Sequence, residues 1–387
     1  MPVKNRFAEM LPEMTEWRRD IHAHPELQFD THRTSALVAD KLREFGCDEV
    51  VTGIGRTGVV GVIRGKTDSS GKVVGLRADM DALPINEATG LDYASNTPGV
   101  MHACGHDGHT TMLLGAAKYL AETRNFDGTA VVIFQPAEEG GGGGKVMVDD
   151  GMMDRFGIHE VYGMHNWPGM ETGRFSIRPG PFFASTAEFD IEVEGKGSHA
   201  AKPQSGVDTI VVASHIVTAL QTIASRNADP VKQLVVSVTS FVTDTTAYNV
   251  IPQRVHLKGT VRALETDMQT LAERRLREVV AGTATAFGAR ATVHFEANYP
   301  VMVNSEVQTE FAADVARAVS GGCDEAPLIM GGEDFAYMLQ ERPGAYILVG
   351  NGDTAMVHHP EYNFNDEAMP AGCSWWAEIV ERRMPAA

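Results

Sequence analysis

An α/β fold with a mostly parallel sheet, interrupted by an inserted ferredoxin-like α+β module, is predicted by three observations. Strand-like and helix-like segments alternate up to about residue 165. A β-α-β-β-α-β run occupies about residues 184–297. Strand and helix patterns then resume to the C-terminus. At 387 residues the chain has room for two to three domains of about 150 residues each.

Apolar positions over residues 7–21 and 34–45 recur every three or four residues, so the chain opens with two helices. The period then changes. Residues 50–51, 58–63 and 72–76 are β-branched runs bounded by glycine or by the polar turn Thr67-Asp68-Ser69-Ser70, and read as strands. A helix over about 108–123 follows, then a strand over 129–135, a helix around 145–153 and a strand over 160–165. Such alternation gives a sheet covered on both faces.

Within the inserted module, strands are expected over 186–194, 234–242, 254–264 and 290–296, with helices over 206–226 and 267–287. Beyond it, a helix near 307–319, a strand over 346–349 and a final helix near 368–383 complete the larger domain. No internal repeat is visible.

Composition excludes several classes of function. Hydrophobic residues make up 43% and charged residues 22%, the values of a packed globular chain. Lys plus Arg total 33 against 51 Asp plus Glu, a net charge of −18, which repels phosphate backbones and anionic lipid. No nucleic-acid or membrane partner is therefore expected. The N-terminal stretch mixes charge with apolar residues and lacks the uninterrupted apolar core of a signal peptide, and no apolar run reaches the roughly 18 residues a span needs. Cys47, Cys104, Cys323 and Cys373 are too scattered for a disulfide scaffold, so a reducing cytoplasm is expected.

Three patterns imitate functional motifs. Gly53-Ile54-Gly55-Arg56-Thr57-Gly58 matches a dinucleotide fingerprint, but the strand pattern Val59-Val60-Gly61-Val62-Ile63 follows where a helix is required, so a hairpin is expected. Gly140 to Gly144 with Lys145 resembles a phosphate loop, yet Val146 replaces the required Ser or Thr. His22, His24 and His32 lie near a helix end and a turn and read as exposed or capping residues.

One constellation does carry chemistry. Met101-His102-Ala103-Cys104-Gly105-His106-Asp107-Gly108-His109-Thr110 places three imidazoles, a thiol and a carboxylate between a loop and a helix start. The strand over 129–135 runs into Gln135-Pro136-Ala137-Glu138-Glu139, that over 160–165 ends on His165, and Leu76-Arg77-Ala78-Asp79-Met80-Asp81 ends on two acids. Open α/β sheets build their sites at such strand ends. His358 and His359 add two imidazoles in a late loop. Thiolate, imidazole and carboxylate together suit zinc, and carboxylate with imidazole would also accept manganese. Cys104, His106, Glu139, His165 and His358 form the candidate ligand set. Five such groups exceed one tetrahedral ion, so an open two-metal site bridged by water fits better.

The ordered motifs RADMDALP, MHACGHDGHT, PAEEGGGG, MHNWPG, GSHAAKP, NVIPQ, GTVRAL, GGEDFA and HHP closely resemble the metal-dependent N-acyl amino acid amidohydrolases, relatives of aminoacylase and carboxypeptidase G. This family includes hippurate hydrolase and the indole-acetyl-amino acid hydrolases, and the resemblance covers nearly the whole chain. It implies a zinc-peptidase-like catalytic domain over 1–183 and 298–387, and a lid and dimerisation domain over 184–297. It also implies that Cys104, His106, Glu139, His165 and His358 bind two divalent ions, zinc or manganese, with cobalt and nickel as further candidates. Glu138 would be the general base and Asp81 would orient or support the cluster. The family spacing His-x-Pro favours His358 over His359, although the residues alone leave both open.

By the same resemblance His199 would reach a neighbouring subunit's site and stabilise the oxyanion, and Asn249 and Arg262 would hold the substrate's carboxylate or carbonyl. A homodimer or higher oligomer joined through the lid would follow. The expected reaction is hydrolysis of the amide of an N-acyl amino acid to a carboxylic acid and a free amino acid. Its rivals are a dipeptidase or carboxypeptidase on the same site, and a metal-binding protein without turnover.

Overall fold

The computed structural model describes residues 4–386. Two compact units divide the chain: one runs to Gly180 and resumes at Val303–Pro327 and from Asp334 onward, and the other comprises Pro181–Met302 and Leu328–Glu333. No described helix is long and apolar enough to cross a membrane.

The first unit is built on an eight-stranded sheet. Its order is Glu49–Ile54, Gly58–Arg64, Thr129–Gln135, Val73–Asp79, Glu160–Trp167, Gly344–Gly350, Phe175–Ile177 and Cys323–Glu325. The strands from Thr129, Val73, Glu160 and Gly344 run parallel to their neighbours in this central group. They are buried nearly throughout. That burial on both faces is why they read as continuous apolar runs and not as alternation. Helices Asn5–Ala23, His106–Thr123 and Met369–Arg383 pack on one another beside the sheet. Trp375 and Trp376 of the last are fully buried in the core, where truncating either to alanine would cost about 3–5 kcal/mol.

Glu49–Ile54 and Gly58–Arg64 pair antiparallel, so the Gly53 to Gly58 motif is the expected hairpin turn, with Gly53, Gly55 and Arg56 all at positive φ. Some expectations need correction. The helix expected around 145–153 is two, Gly143–Asp149 and Met152–Arg155, because Gly151 adopts a left-handed φ of 77° between them. The helix expected over 206–226 begins at Thr209, where Asp208 caps the Ile210 and Val211 N–H groups, and gives way to a π turn at Ile223–Asn227. The strands Phe175–Ile177 and Cys323–Glu325 and the helix Phe335–Glu341 were not anticipated.

In the second unit an antiparallel sheet has the order Leu234–Thr243, Arg254–Ala263, Ser185–Glu194, Arg290–Ala297. Strand Arg254–Ala263 alternates exposed and buried residues, and its inner face joins a core with Val212, Ile216 and Leu220 of one helix and Leu276 and Val280 of another. This is the ferredoxin-like pattern: one sheet face covered by helices Thr209–Thr222 and Thr266–Ala286.

Candidate active site

The parallel register brings the chemistry to one sheet edge. Asp79 lies opposite Gln135, and Arg77 opposite Gly163, so Asp79 and His165 emerge at the same level, with Asp81, Glu138 and Glu139 following in the loops. A buried polar floor fixes this edge. Arg77 donates to Asp79 Oδ2 at 2.7 Å, to Asp334 Oδ1 at 2.9 Å and to Gln135 Oε1 at 2.9 Å. Asp334 also accepts the Gly144 N–H at 2.7 Å. A Cβ on Gly144 would stand 2.9 Å from the Asp334 carbonyl oxygen, so this part of the glycine run serves close packing, not phosphate.

Above the floor the five expected ligands converge. Cys104 Sγ is 3.3 Å from His165 Nε2, while His165 Nδ1 donates to the Asn166 carbonyl at 2.5 Å, which leaves Nε2 as the free ligand nitrogen. His358 Nε2 lies 3.2 Å from Glu139 Oε1. His359 instead uses Nδ1 to accept the Glu361 N–H. His106 Nδ1 is 3.5 Å from Asp81 Oδ1, and its Nε2 is 3.8 Å from Glu139 and 4.0 Å from Glu138. Ligand atoms of Cys104, His106 and His165 lie within 4.8 Å of one another, as do those of Cys104, Glu139 and His358, and those of His106, Glu138 and Glu139. Ala137 and His358 are non-glycine residues at positive φ, 55° and 66°, so the backbone is strained where it presents these groups.

The electrostatics suit a cation. Neither ring nitrogen of fully buried His106 makes a hydrogen bond. Burial pushes the Cys104 thiol well above its ordinary range, and Glu139, Glu138 and Asp79 push it further, so a thiolate here requires added positive charge. Burial alone would lower His106, but Asp79 and Asp81 outweigh it and raise it to about 10, so four nearby carboxylates already call for positive charge at this spot. A thiol, three imidazoles and a carboxylate fit borderline divalent ions.

The remaining expected residues lie in the second unit. His199 and Asn249 share a cleft of about 520 Å³ with Asp244, Thr245 and Gln253. His199 is exposed and its Nδ1 accepts the Ala201 N–H at 3.1 Å, so Nε2 is the nitrogen able to donate outward. Arg262 is half-buried and its guanidinium forms no ion pair or hydrogen bond among the described residues; burial lowers its pKa, with Glu188 opposing.

One histidine was misread. His22 is fully buried, with Nδ1 2.8 Å from Asp107 Oδ2 and Nε2 3.3 Å from Glu87, because the helix Asn5–Ala23 packs against the helix His106–Thr123, whose first turn carries Asp107. His24 does cap, on the Asp20 carbonyl at 2.8 Å, and His32 is exposed. Asn166 and Tyr362 are also buried at the site; Asn166 lies within the MHNWPG motif without being singled out there, and Tyr362 carries no recognisable sequence signal.

A thiol, imidazole and carboxylate cluster at the strand ends of an α/β sheet, next to a buried acid, defines a metal-dependent hydrolase. Residues 75–382 match the model of Peptidase family M20/M25/M40, and the chain belongs to that family. It is 42% identical to the hippurate hydrolase of Campylobacter jejuni, over 95% of this chain and 96% of that protein. It is 39% identical to the N-acetyl-L-cysteine deacetylase of Bacillus subtilis, over 94% and 86%. The solved YXEP protein of Bacillus subtilis, a dinuclear metal-binding peptidase of the M20 family, superposes with a TM-score of 0.85 at 32% identity, covering 98% of this chain and all of that one. Family membership and the donor cluster support divalent metal binding.

Proposed function

We propose that the chain hydrolyses the amide of small N-acyl amino acids to a carboxylic acid and a free amino acid, with Glu138 as general base. One observation carries this reading: Cys104 belongs to two donor groups, with His106 and His165 and with Glu139 and His358, while Glu138 lies within reach of His106. Donor groups that meet in this way support two ions, zinc or manganese, which Cys104, His106, Glu139, His165 and His358 would hold. When bound, such ions polarise an amide carbonyl and acidify water.

The chain's own groups supply the rest. Glu138 takes the proton of the attacking water on its carboxylate and passes it to the departing nitrogen. Asp81 fixes the Glu138 and Glu139 backbone. His199 donates from Nε2 to the developing oxyanion, as part of a dimer or higher oligomer in which it serves a neighbouring copy. Arg262 pairs with the substrate carboxylate, with Asn249 as a further polar contact, and its lack of an ion partner supports that role. The four free cysteines support a reducing compartment, the cytoplasm.

The relatives named for hydrolysis of hippurate and deacetylation of N-acetyl-L-cysteine support the N-acyl class, whereas the peptidase relative keeps a dipeptidase reading alive. Amine release from hippurate, N-acetyl amino acids, indole-acetyl amino acids and dipeptides separates them. The proposal expects the highest kcat/KM on an N-acyl amino acid. A consistent preference for dipeptides would replace it with the peptidase reading.

A further inference from the structure

We propose that His109 is a positioning residue of this metal centre and not one of its ligands. The inference rests on the metal-site reading above and deepens it. His109 is fully buried, and it lies close enough to Asp79 and His106 to form a further donor group with them. Both nitrogens are already committed, however. Nδ1 is 2.6 Å from Asp79 Oδ1, and Nε2 is 2.9 Å from the backbone N–H of Asn166, which can only donate. The proton is therefore on Nδ1 and the lone pair of Nε2 is used. Asp79 cannot turn away, since Arg77 holds its other oxygen at 2.7 Å and the Thr110 hydroxyl holds its carbonyl at 2.7 Å.

What His109 fixes is Asn166, and Asn166 touches the ligands. Its carbonyl accepts His165 Nδ1–H at 2.5 Å, and its side-chain amide donates to the Cys104 carbonyl at 2.6 Å. Its Oδ1 accepts the Tyr362 hydroxyl at 2.7 Å. No slack remains: a Cβ on Gly105, which sits at φ 92°, would lie 2.3 Å from the Asn166 amide nitrogen and 2.5 Å from the Tyr362 hydroxyl. The His109 ring also packs beside both ligand rings, 4.6 Å from His165 and 5.5 Å from His106, centroid to centroid. A chain from Arg77 through Asp79, His109 and Asn166 thus sets the direction of the His165 and Cys104 donors, which is how outer partners tune a metal site.

The test compares wild type with His109→Phe, His109→Asn and His109→Gln. Ions bound at saturation, zinc dissociation constants by chelator competition and the ligand-field absorption of the cobalt-loaded protein are measured. Losing such an outer partner typically weakens metal affinity about 10- to 100-fold. His109→Phe, which removes both hydrogen bonds, is expected at the upper end, with the wild-type number of ions at saturation and a shifted cobalt spectrum. His109→Asn keeps a donor toward Asp79 and His109→Gln an acceptor toward Asn166, so each should lose less, and this pair carries the test if His109→Phe does not fold. Fewer ions at saturating metal would make His109 a ligand, and wild-type affinity with an unshifted spectrum would give it no role at the centre; either result overturns the proposal. A wild-type chain that binds no divalent ion would overturn the metal site itself and this inference with it, whereas unaltered variants of a metal-binding wild type overturn this inference alone.

Discussion

Asp81 and Glu138 are joined by a 2.9 Å hydrogen bond from the Glu138 backbone N–H to Asp81 Oδ1, and the other Asp81 oxygen accepts the Glu139 N–H at 3.1 Å. One buried carboxylate therefore aims both acids of the strand-end loop. Asp81→Ala should leave two buried N–H groups without an acceptor, at about 1–3 kcal/mol each, and Asp81→Asn should cost less because its amide oxygen still accepts one. Urea unfolding of the metal-free protein checks the order. Equal midpoints for wild type and Asp81→Ala would show that the loop holds itself.

A second prediction concerns pH. Burial alone would lower the His22 pKa, but Asp107 and Glu87 outweigh it and raise it to about 9 from 6.5. A folded pKa above the unfolded one means that charged His22 contributes its full stability below about pH 6.5 and loses it as pH rises through about 9. The shift corresponds to roughly 3 kcal/mol. Wild type should thus lose more stability than His22→Gln between those pH values, as measured by denaturant unfolding at a series of pH values. Parallel curves would contradict the charged pairing.

The third prediction concerns His199. His199→Ala should lower kcat more than it raises KM, by about 10²- to 10³-fold, because an oxyanion exists only near the transition state. Metal content should be unchanged. If the residue serves a neighbouring copy, mixing His199→Ala with Glu138→Gln chains should regenerate activity in hybrids that combine an intact base with an intact donor. Verified hybrids as inactive as their parents, or a fully active monomer, would remove the shared-site role.

Much of the site was legible because its donors lie at strand ends or in one dense run, Met101 to Thr110, that no packing argument explains. The parallel strands were legible for the same reason they are buried: an apolar run between turn signals. The supporting network was not. Its links join residues 30, 57 and 196 positions apart, Asp79 to His109, His109 to Asn166 and Asn166 to Tyr362, and no local pattern marks them. His22 was misread for that reason too, since its partner Asp107 lies 85 residues away. Strands as short as Phe175–Ile177 and Cys323–Glu325 do not complete enough alternation to show a period.

The central claim, that Glu138 moves the proton while other residues hold the ions, is tested most directly by one paired measurement on Glu138→Gln: bound metal per chain, and kcat for amine release from hippurate or the best N-acyl substrate. The glutamine amide has nearly the same shape but cannot take the water's proton, so the account predicts wild-type metal content with kcat reduced about 10²- to 10⁴-fold. Loss of ions from this variant, or turnover within a few-fold of wild type with the metal retained, would contradict it.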